Sequence, residues 1–275
     1  MALLHLSFTS KYLAGTTDVN VILPDLGYGE EPKDFYGSGE KYKVVWLLHG
    51  TYGDYSDWLR KANTELYATE KKAAVVMFTA GNTNYADWTK FGLGYKVFSY
   101  LTEELMPLIY GWLPVSNKRE DNFIAGLSMG GRGTCVYALN HPELFQAAYV
   151  MSSAPNEIKE PDLTSPFAPR ELALINNFDG MDGYKKSVLN VLDKAVECVK
   201  EGVDLPKFYF ACGDIDPIAY QWFKAFRKTA EEIGMDAEFF EISGYGHEWR
   251  FWDLCLQDAL ERFFPEEGKH PLFDE

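Results

Sequence analysis

The chain has 275 residues, of which 47% are hydrophobic and 24% are charged, so it is long enough and apolar enough to form a large globular core. Its formal net charge of −15 argues against nucleic acid or an anionic membrane surface as a partner, because both carry dense negative charge. The same charge predicts mild repulsion of anionic substrates.

The first eight residues lack the basic segment and the long apolar run of a secretory signal, so we expect no signal peptide. No stretch approaches about 18 consecutive apolar residues, so we expect no membrane span. The four cysteines are scattered without a Cys-x-x-Cys pair, which favours reduced thiols over a zinc site or disulfides. We expect a cytoplasmic protein. We expect a homodimer only because symmetric dimers are the commonest oligomers of soluble proteins.

Eight short apolar runs favour β-strands. They are residues 3–8, 19–23, 44–48, 74–78, 122–125, 147–151, 208–211 and 238–242. The central runs are continuously apolar, which is typical of strands that helices cover on both faces. The first two runs are separated by a short connection and should form an antiparallel hairpin at the sheet edge. The pattern predicts an α/β fold with a mostly parallel eight-stranded sheet.

Segments with helical periodicity separate most of these strands. They are residues 58–71, 95–109, 131–140, 185–200, 217–233 and 249–264. Two stretches interrupt the alternation of strands and helices. Residues 79–94 form a long polar and aromatic loop, and residues 152–206 are many more than a single crossover helix needs. Long insertions after strands often build substrate pockets. We therefore expect one domain over residues 1–275, with 152–206 as a lid or pocket wall above the active site.

The segment Gly126-Leu127-Ser128-Met129-Gly130 lies between a predicted strand and a predicted helix. Gly-x-Ser-x-Gly in that setting is typical of the nucleophile elbow of α/β-hydrolases, in which the serine hydroxyl projects from a sharp turn. A side chain two residues before or after the serine would collide with nearby backbone, which explains both glycines. Ser128 is therefore the candidate nucleophile, and the α/β-hydrolase fold is the expected architecture.

A serine hydroxyl needs a base to accept its proton, and in this fold the base follows the nucleophile in the chain. His141 lies at the far end of the elbow helix, roughly 20 Å from the serine at 1.5 Å per residue. His270 lies in a polar tail. His247 lies in a glycine-rich loop between the last predicted strand and the last predicted helix, and it is the candidate base.

The acid that orients the base should follow the strand at 208–211. The loop there offers Asp214 and Asp216. Asp216 precedes Pro217 and also suits the N-cap of the next helix. The spacing leaves both aspartates open.

A tetrahedral intermediate needs backbone N–H groups that hold its oxyanion. Met129, directly after the nucleophile, should supply one of them. The second should come from the loop after the strand at 44–48, with Thr51 as the first choice and Tyr52 as the alternative. We interpret His49 as a residue that orients this loop.

Several aromatic residues near these loops could line a substrate pocket or simply pack in the core. They are Tyr52, Tyr85, Trp88, Phe91 and Trp249. The sequence Gly92-Leu93-Gly94 lacks the third glycine of a dinucleotide site, and no His, Asp and Glu residues have metal-ligand spacing. We therefore expect neither a cofactor nor a metal.

Taken together, these residues resemble the esterase D family of α/β-hydrolases. That family includes S-formylglutathione hydrolases, bacterial acetyl and tributyrin esterases, and feruloyl esterases of carbohydrate esterase family one. The segments that carry the resemblance are Leu47-Leu48-His49-Gly50, Tyr85-Ala86-Asp87-Trp88, Gly126-Leu127-Ser128-Met129-Gly130-Gly131, Cys212-Gly213-Asp214-Ile215-Asp216 and Gly246-His247-Glu248-Trp249. The resemblance implies that Asp216, the last residue of the acid loop, is the catalytic carboxylate.

The resemblance also implies a serine esterase with a short acyl pocket that forms an acyl-enzyme. The expected substrates are acetyl, butyryl or feruloyl esters, free or on a plant polysaccharide. An S-formylglutathione-type thioesterase and an acyltransferase of the same fold are the alternatives. The segment after His49-Gly50 lacks the Leu-Thr-Cys stretch typical of S-formylglutathione hydrolases, which counts against the glutathione thioester.

Overall fold

A computed structural model describes residues 1–90, 95–268 and 270–273. In these ranges, eight strands form one sheet in the order β1-β2-β4-β3-β5-β6-β7-β8. The strands are β1 (Ala2–Ser10), β2 (Gly15–Leu23), β3 (Val44–Leu48), β4 (Ala74–Phe78), β5 (Asn122–Leu127), β6 (Ala147–Met151), β7 (Lys207–Gly213) and β8 (Ala237–Ile242). The prediction of eight strands in a mostly parallel sheet is confirmed.

The pairing of the strands changes at one edge of the sheet. β1 and β2 form the predicted antiparallel hairpin, and β2 also pairs antiparallel with β4. From β4 to β8 all neighbours are parallel, so the carboxyl ends of six strands share one edge. Loops that follow β3, β5, β7 and β8 therefore leave the sheet on the same side.

Helices cover both faces of the sheet. They are α1 (Pro32–Gly37), α2 (Asp57–Lys61), α3 (Thr64–Glu70), α4 (Val97–Ser99), α5 (Met106–Trp112), α6 (Met129–Asn140), α7 (Ala168–Asn177), α8 (Met181–Lys185), α9 (Val191–Glu201), α10 (Tyr220–Ile233) and α11 (Trp249–Phe263). The strand side chains alternate between two cores: Val44 and Trp46 face the core that contains α6, whereas Val45 and Leu47 face the core that contains α11. Burial on both faces explains why the central strands are continuously apolar.

The predicted helix at 58–71 is divided into α2 and α3. Ala62 between them has an extended backbone, with φ −136° and ψ 166°. The adjacent Asn63 donates its backbone N–H to Asp253 on α11 at 2.7 Å. This contact with a distant helix replaces a helical hydrogen bond, so tertiary structure overrides the local periodicity.

The predicted helix at 95–109 is also irregular. After α4, residues Tyr100–Leu105 form a π-helical turn in which Met106 N–H donates to Leu101 O, five residues back. Pro107 follows, and proline has no N–H to donate. A widened turn before a proline is a recognised way to keep such a helix continuous.

The segment 152–206 connects β6 to β7 and contains α7, α8 and α9. The predicted helix at 185–200 is shifted, because α9 begins after Asn190, whose side chain accepts the N–H of Asp193 as an N-cap. The first of these helices, α7, is joined to the loop after β4 by Asn177. Its amide donates to Asp87 O at 2.9 Å and accepts from Thr89 N–H at 3.0 Å.

The four cysteines agree with the expectation of buried, unpaired thiols: Cys135, Cys198, Cys212 and Cys255 are all buried and free. In the part of the chain that the structure describes, no helix combines the length and the apolar composition that a membrane crossing requires.

Candidate active site

Ser128 lies at the sharp turn between β5 and α6. Its backbone angles, φ 53° and ψ −117°, are unusual for a residue with a side chain and mark a strained position. Ser128 N–H donates to Met151 O at the end of β6, at 2.8 Å. A Cβ atom on Gly130 would lie 2.5 Å from Leu48 O, and a Cβ atom on Gly126 would overlap the Gly130 carbonyl. The prediction that crowding requires both glycines is confirmed.

Three side chains from different strand ends form one hydrogen-bonded chain. His247 Nε2 lies 2.9 Å from Ser128 Oγ, and His247 Nδ1 lies 2.8 Å from Asp216 Oδ2. Because a carboxylate can only accept, Nδ1–H donates to Asp216, and Nε2 can then accept the hydroxyl proton of Ser128. This order of contacts is the one that a nucleophile, a base and an orienting acid require.

Asp216 divides its two oxygens between two tasks. Oδ2 accepts from His247, while Oδ1 accepts the N–H groups of Ile218 and Ala219, both at 2.9 Å. Burial alone would raise the pKa of Asp216, but the hydrogen bonds from His247 and from these N–H groups outweigh it and leave the pKa below its ordinary value. The side chain is therefore an ionised carboxylate that faces the imidazole and caps the turn before α10.

Asp214, the other candidate acid, bonds to the loop after β8 and not to His247. It accepts the Gly244 N–H at 2.7 Å and the Ser243 hydroxyl at 2.8 Å, and these two bonds lower its pKa. Asp214 therefore ties the loop after β7 to the loop after β8. The geometry separates the two aspartates that the spacing left open.

The loops that carry Asp216 and His247 pack directly on each other. Ile215 N–H donates to Tyr245 O at 3.3 Å, and Gly213 leaves no room for a Cβ atom beside the same carbonyl. Trp252 on α11 packs its ring edge-on against the His247 ring at 5.0 Å between centroids. The imidazole is thus held on one side by the acid loop and on another by an indole.

β6 lies between the elbow and β7, the strand that leads into the acid loop, and the end of β6 bonds to both. Its last residue, Met151, accepts the Ser128 N–H, and the following Ser152 donates its N–H to Ala211 O of β7 at 2.8 Å. The Ser152 hydroxyl accepts the indole N–H of Trp252 at 3.0 Å. The distance between the serine loop and the aspartate loop is therefore set by one intervening strand.

The backbone N–H groups of the two preferred oxyanion-donor candidates have no acceptor within the described residues. One belongs to Met129, the first residue of α6, where helical N–H groups lack a partner. The other belongs to Thr51. The N–H of Tyr52, the alternative donor, is occupied by Asn82 Oδ1 at 2.8 Å. The geometry therefore favours Thr51 over Tyr52 as the second donor.

His49 is buried beneath this loop and is hydrogen-bonded at both ring nitrogens. Ala80 N–H donates to Nε2 at 2.9 Å, so Nδ1 carries the proton and donates to Gly50 O at 2.7 Å. Burial lowers the pKa of the imidazole, which favours the neutral form. His49 holds the loop in place, as its position in the sequence indicated, and it does not contact Ser128.

The remaining histidines that follow the serine lie away from it. His141 caps the carboxyl end of α6 and lies 3.2 Å from Glu143. His270 is exposed in the carboxyl-terminal segment. Neither of them lines the cavity described next.

A cavity of about 1050 Å³ opens above Ser128 and His247. Tyr52 and Trp249 line it, but Tyr85 and Trp88 do not. Tyr85 is fully buried and donates its hydroxyl to His49 O at 2.9 Å, and Trp88 packs on the core with its indole N–H on Thr83 O. The expectation that these two residues line the pocket is wrong, because the loop after β4 turns them inward. Phe91 lies outside the described residues.

Other cavity residues were not singled out from the sequence. Trp252 stands three positions after Trp249, a helical spacing that could have revealed a shared face. Trp222 on α10 and Arg170 on α7 also line the cavity, and an aromatic or basic residue on an amphipathic helix gives no comparable signal. The sequence pattern locates the reacting groups better than the walls around them.

Residues 10–186 match the sequence model of the Esterase family. The chain belongs to this esterase family. The esterase is 29% identical over 275 residues to an acetyl esterase of Caldicellulosiruptor saccharolyticus, covering 95% of this chain and 97% of that protein. It is also 30% identical to an endo-1,4-beta-xylanase/feruloyl esterase of Xylanibacter ruminicola over 94% of this chain, but over only 31% of that longer protein.

Solved structures agree with this assignment. The fluorophosphonate-binding serine hydrolase F of Staphylococcus aureus superposes on the esterase with a TM-score of 0.78 and 26% identity, covering 96% of this chain and 99% of that one. An S-formylglutathione hydrolase of the same organism gives a TM-score of 0.77 at 26% identity, covering 96% and 98%. The esterase therefore has the α/β-hydrolase fold and is a carboxylic-ester hydrolase.

Proposed function

We propose that the esterase hydrolyses short-chain acyl or feruloyl esters through an acyl-enzyme on Ser128. The observation that carries the proposal is the continuous chain of hydrogen bonds from Ser128 through His247 to Asp216. The similarity to an acetyl esterase and to the feruloyl esterase part of a longer enzyme supports this substrate class. Free small esters and esterified oligosaccharides are both substrates in this proposal.

The proposed reaction begins when His247 Nε2 takes the hydroxyl proton of Ser128 while Oγ attacks the ester carbonyl carbon. The N–H groups of Met129 and Thr51 hold the carbonyl oxygen as it becomes an oxyanion. The intermediate collapses, and the alcohol leaves with the proton from His247. Water then attacks the acyl-enzyme with the same proton transfers and restores Ser128. Asp216 keeps the imidazole in the required tautomer and stabilises its protonated form.

The segment 152–206 is proposed to form the outer wall of the substrate pocket. Phe167, Arg170 and Ile175 from this segment line the cavity. At about 1050 Å³ the cavity lies at the upper end of the usual range for ligand pockets and is far larger than an acetyl group needs. Its size suits an ester whose alcohol part is a sugar, or whose acyl part is an aromatic ring that contacts Tyr52 or Trp249.

Replacement of Ser128 by alanine tests the proposal. We expect ester hydrolysis of 4-nitrophenyl acetate and methyl ferulate to fall by at least about 10³-fold, since residual catalysis comes only from binding and the oxyanion donors. A fluorophosphonate should label the wild type and not Ser128→Ala, and circular dichroism should be unchanged. Retained turnover in the variant would refute the assignment of the nucleophile.

A thioesterase activity is the second candidate, because an S-formylglutathione hydrolase is among the similar structures. Comparison of S-formylglutathione with oxyesters on the purified enzyme distinguishes the two. An acyltransferase would use the same groups but pass the acyl group to an alcohol, and product analysis in the presence of a sugar would reveal the transferred ester.

A cytoplasmic location and a homodimer are also proposed. The four buried, unpaired cysteines suit a reducing compartment. Cell fractionation tests the location, and sedimentation equilibrium tests the dimer.

A further inference from the structure

Two arginines line the same cavity. Arg170 projects from the first turn of α7, and Arg132 projects from α6, four residues after Ser128. Arg170 Nη1 lies 3.2 Å from Thr51 Oγ1 and 3.7 Å from Met129 Sδ. A guanidinium group therefore touches both residues whose N–H groups are proposed to hold the oxyanion.

Neither arginine is paired with a carboxylate in the described part of the chain. Arg132 donates to two neutral oxygens, Asn156 Oδ1 at 2.6 Å and Leu189 O at 2.9 Å. Within the described residues, the polar and ring contacts of the Arg170 guanidinium group are with the hydroxyl of Thr51, the sulfur of Met129 and the ring of Phe167. The chain has 41 acidic residues and 26 basic ones, so an unpaired arginine is not a consequence of a shortage of acids.

Both side chains also have a hydrogen-bond donor without an acceptor among the described residues. The Nε atoms of Arg132 and Arg170 are buried and have no hydrogen-bond acceptor within the described residues. A buried donor on a charged group costs free energy when it has no partner. Burial is the largest cause of the lowered pKa of Arg170, and the charge of Glu171 opposes this shift. An anion bound in the cavity would supply the missing acceptors.

Among the described residues, none of the acids that line the cavity forms an ion pair with either arginine. Asp57 is paired with Lys61 at 3.0 Å, Glu157 is exposed and bonds to Lys159 at 3.1 Å, and Asp162 is exposed and accepts from Thr164. Glu160 is exposed, and Glu171, next to Arg170 in α7, acts on it through its charge without a direct ion pair. The net negative charge of the protein repels anions over long distances, but that repulsion is screened by salt and does not supply a local partner.

We propose that Arg170 and Arg132 form a carboxylate-binding subsite, so that the preferred substrates are esters that carry a carboxylate on the acyl or the alcohol part. This inference rests on the proposed hydrolysis at Ser128. A guanidinium group presents parallel N–H donors that match the two oxygens of a carboxylate, and such charge-assisted bonds are stronger than neutral ones. The contact of Arg170 with Thr51 and Met129 places the subsite beside the reacting carbonyl.

Two matched pairs of esters test the subsite. 4-Nitrophenyl hemisuccinate differs from 4-nitrophenyl butyrate by a carboxylate on the acyl part, and 4-acetoxybenzoate differs from phenyl acetate by a carboxylate on the alcohol part. For each enzyme, the ratio of kcat/KM for the acidic ester to kcat/KM for its neutral partner is measured. This ratio cancels any general effect of a variant on the oxyanion donors.

We expect the wild type to prefer the acidic ester in one of the two pairs, and that pair identifies the part of the substrate that carries the anion. Arg170→Gln should lower the ratio in that pair by about 10- to 100-fold, the usual worth of a charge-assisted hydrogen bond. Arg132→Gln should lower it less, because its Nη atoms are already engaged, and Arg170→Lys should retain part of it. Arg227→Gln is the control, since it changes the net charge equally but lies on α10 in an ion pair outside the cavity.

The inference is overturned if the wild type shows no preference in either pair. It is also overturned if Arg170→Gln lowers both members of the preferred pair equally, because the arginine would then act on catalysis or on structure. Failure of the wild type to hydrolyse any of the four esters would instead count against the proposed function. Thermal unfolding of each variant shows whether it is folded, and Arg132→Gln provides a second test if Arg170→Gln is not.

Discussion

The two sides of the cavity are built in different ways. The proposed catalytic floor, defined as Ser128, Asp216 and His247, is held by backbone bonds at strand ends and by glycines that allow no side chain. The insertion wall, defined as residues 152–206, approaches the floor through side chains such as Arg170, whose contacts there are with Thr51 and Met129. The floor is held by the sheet, whereas the wall is held mainly by side-chain contacts. In the proposed function, the reaction and the substrate preference would therefore depend on separate parts of the structure.

The largest expected effect concerns the floor. Asp216→Asn should lower kcat by about 10⁴-fold, because an amide at this position no longer fixes the imidazole tautomer. Asp214→Asn is the matched control: the side chain of this partly exposed aspartate bonds, among the described residues, to the loop after β8 and not to His247, and we expect a decrease of less than about tenfold. Steady-state kinetics on 4-nitrophenyl acetate gives both values. Equal losses in the two variants would contradict the distinction between the two aspartates.

The next effect concerns the packing of the elbow. Gly130→Ala should lower the free energy of unfolding by about 1–3 kcal/mol, because the new methyl group would lie 2.5 Å from Leu48 O and 2.6 Å from His49 O. Gly111→Ala on α5 is the control, since a methyl group there meets nothing within 4 Å and alanine favours a helix. Urea unfolding should show a loss for the first variant and a small gain for the second. A neutral Gly130→Ala would show that the turn can relax.

A smaller effect concerns the junction between the wall and the loop after β4. Asn177 is buried and bonds to backbone atoms of residues 87–90, so Asn177→Ala should lower the free energy of unfolding by about 1–2 kcal/mol. The backbone amides of α7 should also exchange hydrogen faster in Asn177→Ala than in the wild type. Asn176→Ala, one residue earlier on the exposed face, should change stability by less than about 0.5 kcal/mol. Similar effects in both variants would mean that Asn177 does not anchor the wall.

The smallest effect is a pH dependence of stability. The folded pKa of Asp216 lies below its unfolded value of 3.8, so its stabilising contribution is complete above that pH and is lost as the pH falls through the folded pKa. The difference in unfolding free energy between the wild type and Asp216→Asn should therefore become less favourable to the wild type below about pH 3.8. Denaturant titrations between pH 3 and pH 7 measure this difference in unfolding free energy. An advantage of the wild type that increases in acid would contradict the expected direction.

The sequence predicted the floor well because its elements are short and local. Each strand is an apolar run, and the turn at Ser128 requires glycines that stand two positions away. The order of strands then brings His247 and Asp216 to the same edge. The choice between Asp214 and Asp216 needed the resemblance to a known family or the geometry, because two residues of spacing cannot show which way a carboxylate faces.

The walls were less predictable because distant contacts decide them. Asn63 bonds to Asp253 and divides a helix that periodicity predicts as continuous. Tyr85 turns into the core and supports His49, although its sequence position suits a pocket equally well. Nothing in the sequence indicated that Arg170 lines the cavity, since an arginine in the first turn of an amphipathic helix is usually solvated. Propensity and periodicity do not contain this information.

The bonds from β6 to both neighbouring loops have a consequence for how such enzymes diversify. Met151 bonds to the serine turn, and Ser152, the first residue of the insertion, bonds to Ala211 of β7 just before the aspartate loop. A recombined chimera that exchanges residues after Ser153 for the corresponding segment of another esterase should therefore inherit the donor's selectivity and keep its own reaction centre aligned.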